Sequence, residues 1–215
     1  MFIGHFAFGL VAKRATPYLS LAVLFAAAQL ADILWPIFVA IGIEQVRIDP
    51  YNGTITPLDF TSYPYSHSLA LLIVGGLVFA WVFAPSGDRR AFLVLALLVV
   101  SHWVLDYVTH GPDMPLYPGG PKVGLGLWRW LPATVAVELP LYLAGVLVYY
   151  RVTRPRDKVG RYGFSFLATA LLVIYAGNLM GPPPPSVTAL WAAAITGSVI
   201  ILAAALWADR HRDAI

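Results

Sequence analysis

The stretch 91-AFLVLALLVVSHWVLDYVTHG-111 decides the fold. Its first ten residues, Ala91 to Val100, hold no polar or charged side chain. That is the composition of a helix in hydrocarbon, which takes about 20 apolar residues to cross a bilayer. The last turns then carry His102, Asp106 and His110. Ionisable groups at that depth are costly and are kept for a purpose.

The rest of the chain agrees with an environment of lipid. Of 215 residues, 59% are hydrophobic and 12% charged, and the mean hydropathy is +0.74; soluble domains carry about 25% charged residues. The expected fold is an all-α integral membrane protein with about six transmembrane helices, over 17–42, 66–84, 91–109, 134–150, 162–180 and 187–207. Pro17, Pro85 and the Gly-Pro-rich breaks at 111–121 and 181–185 mark several of the ends. Met1 to Ala12 is apolar but too short to span, and reads as an N-terminal half-helix. It lacks the basic region and the cleavage site of a signal peptide. There is no cysteine, which excludes disulfides, thiolate metal sites and cysteine nucleophiles.

Charge sets the expected orientation. With both ends inside, Lys13, Arg14, Arg89, Arg90, Arg151, Arg154, Arg156, Lys158, Arg161, Arg210 and Arg212 face the cytoplasm, and only Arg47, Lys122 and Arg129 face out. Eleven against three follows the positive-inside rule for a multi-pass plasma (inner) membrane protein. The long loops 43–65 and 110–133 then lie outside. Residues 1–150 read as a membrane-embedded metal-site domain, and 151–215 as two scaffold helices whose strongly polar interior residue is Asn178.

On this topology Asp32, His67, His102, Asp106 and Glu138 gather in the outer half of the membrane. His5, about 12 Å above Lys13 along a helix, approaches from below. Positions 102, 106 and 110 drift over roughly 80° of helix surface, so all three can face one cleft. A divalent cation explains such a group, because it keeps carboxylates charged and takes neutral imidazole as co-ligand. The expected ligands are His5, Asp32, His67, His102 and Asp106, with Glu138 as a further ligand or general base. Each residue also has a bland reading: a cap for His67 beside Ser66 and Ser68, a hydrogen bond to Gln29 for Asp32, a structural pair for His102 and Asp106, a solvated interfacial ring for His110. The loop after His110 carries Lys122 and Arg129 among glycines, a composition suited to anionic substrate oxygens or to lipid headgroups.

The ordered set His5, Asp32 in "ADILWP", His67 in "SHS" and "SH" followed by Asp106 resembles the YdjM-type membrane-bound metal-dependent hydrolases. That family is in turn similar to the helical zinc-dependent phospholipase C and nuclease superfamily. The resemblance covers roughly residues 1–140. It implies zinc and hydrolysis of phosphoester or lipid-derived substrates; within that reading Asp106 and Glu138 are the expected catalytic residues, Glu138 standing outside the matched set as the candidate base. Leu34 stands where the family often has a second Asp, and "YPY" precedes Ser66 where it has H-R-G, which implies one or two ions rather than three. H-E-x-x-H and G-x-S-x-G are absent, which argues against a zincin protease and a serine hydrolase. An ion- or proton-coupled transporter and a non-catalytic membrane protein with a structural metal are the alternatives. The partners expected are the lipid bilayer and a lipid or phosphoester substrate, and nothing points to nucleic acid.

Overall fold

Helix starts follow side-chain caps. Ser20 accepts from the Val23 N–H, Asp88 from Ala91, Asp157 from Gly160 and Ser186 from Ala189, satisfying donors that a helix leaves free at its N-terminus. The computed structural model describes residues 1–215. Eight helices result: α1 Ile3–Ala12, α2 Leu21–Ala28, α3 Leu30–Ala40, α4 Leu69–Phe83, α5 Arg89–Thr109, α6 Leu131–Val152, α7 Lys158–Met180 and α8 Val187–Arg210.

Four of them, α5 to α8, are long and apolar enough to cross a membrane. The other two expected crossings are not single long helices. Residues 17–42 break at Gln29, and α2 and α3 meet at 61°. The stretch 66–84 yields α4, with only 15 residues. Neither departure disturbs the hydropathy that marked these segments: α2 and α3 together still pass as one bent apolar span.

The N-terminal segment forms α1 and is buried on most of its surface, packed on α6, α2 and α5. Glycine permits the closest of these approaches. A Cβ on Gly145 would come within 2.8 Å of the Ala7 Cα, and one on Gly76 within 2.8 Å of the Ala96 carbonyl oxygen on α5. The apolar interior has two parts. One joins α2 and α3 to α4 and α5 through Leu24, Trp35, Phe79 and Leu95; the other joins α1 and α2 to α6, α7 and α8 through Phe6, Phe25, Tyr142, Phe164 and Ala205. The segment 151–215 is thus packed into the same bundle, with α8 also lying along α3.

The two ends of the bundle differ. At one, β5 (Thr153–Pro155) pairs with β6 (Arg212–Ala214), and the buried Asp209 carboxylate accepts from Lys13 Nζ at 2.7 Å and from the Tyr149 hydroxyl at 2.7 Å. The eleven basic residues assigned to one side lie in or beside the chain segments at this end. At the other end the two long loops form short hairpins, which the sequence reading leaves as loops. They are β1 (Gln45–Ile48) with β2 (Leu58–Ser62), and β3 (Met114–Pro115) with β4 (Lys122–Val123). Arg47 and Lys122 lie in these hairpins, and Arg129 in the short 3-10 turn Leu127–Arg129.

Candidate metal centre

All five expected ligands converge below the hairpins. α5 presents His102 and Asp106 one turn apart, Asp32 comes from the first turn of α3, His67 from the chain just before α4, and His5 from α1. The His102 Nε2 atom lies 3.0 Å from Asp106 Oδ2 and 3.7 Å from Asp32 Oδ1. His67 Nε2 lies 3.5 Å from Asp32 Oδ1 and 3.7 Å from Asp106 Oδ2. His5 closes the group from below: its ring stacks on His102 with centroids 3.7 Å apart, and its Nε2 is 3.1 Å from Asp106 Oδ1. The Met1 ammonium also lies against Asp106 Oδ1 and donates to Thr109 Oγ1 at 3.1 Å.

The outer hydrogen bonds decide which nitrogen of each ring is free. His102 Nδ1 is 2.8 Å from the carbonyl oxygen of Ala28. A carbonyl only accepts, so Nδ1 carries the proton and a neutral ring turns the Nε2 lone pair to the centre. That Nε2 is buried and has no hydrogen-bond partner, although a carboxylate oxygen stands 3.0 Å away. With that ring neutral, two acceptors would face each other there, and either a cation between them or a proton on Nε2 would remove the conflict. His67 is fixed in the same sense. Its Nδ1 is 2.7 Å from Ser66 Oγ, and Ser66 Oγ donates to Glu44 Oε2 at 2.6 Å, so Nδ1 is the donor and Nε2 again faces inward.

These inward atoms could hold a small divalent ion. Ligands about 2.0–2.1 Å from a tetrahedral ion stand about 3.4 Å from one another, and the four nitrogen–oxygen separations here are 3.0 to 3.7 Å. Two carboxylates and two neutral imidazoles balance a divalent charge. The carbonyl and the serine–carboxylate chain supply the outer contacts that orient metal-binding histidines. Asp32, His67 and His102 form one group able to hold an ion, and His5, His102 and Asp106 form a second that shares His102 with it.

The Asp32 side chain is 41% exposed, so the centre opens on one side, into a cavity of about 470 Å³. Glu138, from α6, lines that cavity and accepts from the Phe2 N–H at 2.9 Å. His110 lines it higher up, 3.4 Å from both the Tyr63 hydroxyl and Asp113 Oδ2, with Trp128 against its ring. Burial, and then the Asp113 and Asp106 carboxylates, push the Tyr63 phenol well above its ordinary pKa, so it stays a neutral donor. Arg129 lines a smaller pocket shared with His110 and Asp113. Lys122 is exposed on β4 and reaches neither cavity.

Glu44 is a buried carboxylate beside the His–Asp group that the sequence alone does not point to. It is 1% exposed and accepts from the Tyr65 and Ser66 N–H groups as well as the Ser66 hydroxyl. Comparison with protein-family models, curated proteins and solved structures finds no match to this chain.

Proposed function

We propose that this chain is a membrane-embedded hydrolase that uses a divalent metal, zinc by its ligand chemistry, to cleave phosphoester bonds in lipid-derived substrates. The observation that carries the reading is the pair of inward-facing imidazole Nε2 atoms set against two carboxylates at the mouth of a large cavity. The resemblance to YdjM-type hydrolases rests on these same residues. His67, His102, Asp32 and Asp106 would hold the ion, His5 stacks on His102, and Glu44 acts through Ser66 to keep His67 Nδ1 protonated. Bound there, zinc supplies Lewis-acid polarisation of the ester and lowers the pKa of water toward about 7. Glu138, on the wall of the same cavity, takes up the proton of the attacking water on its carboxylate. The apolar walls keep bulk water from the reacting group.

Purified protein is expected to hydrolyse at least one member of a panel of phosphodiesters and phosphomonoesters of glycerolipids. A chelator should suppress the activity at least about tenfold, as outer-contact and ligand losses do, and added zinc should restore it. Freshly purified protein without stoichiometric metal, and without activity across the panel, would sink the proposal.

The proposal sets the bundle in the plasma membrane with six crossings, the bent α2–α3 pair and the short α4 being the first two and α5 to α8 the rest. The end that carries eleven of the fourteen basic residues then faces the cytoplasm. Single cysteines added to this cysteine-free chain report on that directly. At Ser86 and Asp157 they should resist an impermeant thiol reagent in intact cells, and at Gly119 one should react. The opposite pattern would place the centre at the cytoplasmic leaflet.

A further inference from the structure

The cavity does not end at the metal centre. From Asp32, His67 and Asp106 it continues along α7 and α8, where its wall is Ile174, Gly177, Leu190, Ala194, Gly197 and Ile201. Ionisable groups stand at one end, and small and apolar side chains line the other. A volume near 470 Å³ is within the range of about 300–1,000 Å³ found for ligand sites.

Two glycines in that wall have no packing reason. Gly76 and Gly145 sit where a Cβ would strike a neighbouring helix, but a Cβ on Gly177 or Gly197 meets nothing within 4 Å. Glycine weakens a helix interior relative to alanine, and at these two positions what it leaves behind is open space. α8 is also the most exposed of the four long helices, so the groove lies beside the surface that would meet lipid.

We infer that the groove between α3, α7 and α8 holds the apolar chain of a phospholipid whose phosphate ester lies at the His–Asp centre. The placement of the phosphate rests on the hydrolase reading above; the placement of the chain rests on the groove. A chain leaving a bilayer is already in hydrocarbon, so its transfer brings little hydrophobic gain. Selection then depends on shape, and filling the groove should abolish binding there instead of weakening it in small steps.

The test uses the full chain in phosphatidylcholine vesicles containing phosphatidic acid with a photoactivatable diazirine midway along one acyl chain. After irradiation, labelled peptides are mapped by mass spectrometry and metal content is measured on the same samples. Adducts should concentrate on Leu190 to Ile201 and around Ile174. They should fall at least about tenfold, the equivalent of one decade in affinity, in Gly197→Trp and in Ala194→Phe. Val199→Phe, on an exposed position of the same helix, should leave them unchanged. Retained metal in the filled variants shows that they are folded, and having two of them guards against one that is not. Adducts spread evenly over the exposed face, or groove adducts indifferent to both fillings, overturn the proposal and leave surface lipid only. Groove adducts that respond to filling in a protein without metal sink the hydrolase reading and keep the chain site. Metal and hydrolysis without groove adducts do the reverse.

Discussion

Asp106→Asn should lose the zinc-dependent part of the protein's thermal stability. Asp106 reaches three of the other four members of the centre: Oδ2 faces both His102 and His67, and Oδ1 faces His5 and the Met1 ammonium. Asparagine keeps the shape and offers an amide N–H to the unpaired His102 Nε2, so the side chain still fits without metal. It withdraws a charged ligand from an ion that needs two. A ligand that binds only the folded state adds about 4 kcal/mol when present at a thousand times its Kd. Wild-type protein should therefore show a large rise in melting temperature between chelator and excess zinc, and the variant close to none, with metal content falling from roughly one ion per chain to a small fraction. His102→Ala should behave alike. An Asp106→Asn protein that keeps both its metal and its zinc-dependent shift would remove Asp106 from the centre.

The second large effect belongs to Glu44. Alanine there strands the Ser66 N–H and hydroxyl in a buried site and removes the acceptor of the part-buried Tyr65 N–H. At about 1–3 kcal/mol for each buried group left unsatisfied, the loss should come to about 2 kcal/mol or more. Zinc affinity should also drop by about 10–100-fold, because the outer contact that orients His67 is gone. Ser66→Ala separates the two effects. Glu44 keeps its bonds to the two N–H groups, so stability falls by only about 1 kcal/mol, yet His67 Nδ1 loses its acceptor and the zinc titration should weaken by about tenfold or more. If Ser66→Ala binds zinc as tightly as wild type, Glu44 is a loop anchor and nothing else.

The residues of the His–Asp cluster were legible because each is an ionisable group in or beside an apolar run, and the His102–Asp106 spacing puts two of them on one helix face. Chain ends were legible where Pro or Gly stopped a helix. The break at Gln29 was not: "AAAQLAD" carries neither residue, and hydropathy runs straight through it. That break matters to the site, since the last carbonyls of a helix have no partner within it and the one on Ala28 receives His102. Glu44 was invisible because its role depends on a loop 21 residues away folding back over it. Lys122 is nearer to the cluster in sequence than in space: it follows α5 closely, but on β4 it is exposed and lines neither cavity. Gly177 and Gly197 read as ordinary small residues of a membrane helix, since nothing in periodicity separates a glycine that admits a neighbour from one that leaves a space.

The brevity of α4 bears on the bilayer itself. Fifteen residues rise about 22 Å, some 8 Å less than a hydrocarbon core of about 30 Å. Lipid beside a short helix compresses at a modest cost per ångström of mismatch. The helix begins at Leu69, two residues after His67. In the six-crossing arrangement proposed above, a membrane dimpled along α4 would lower its phosphate plane on the flank where the centre sits, and the distance a substrate headgroup would travel to reach it would shrink before any part of the protein moves.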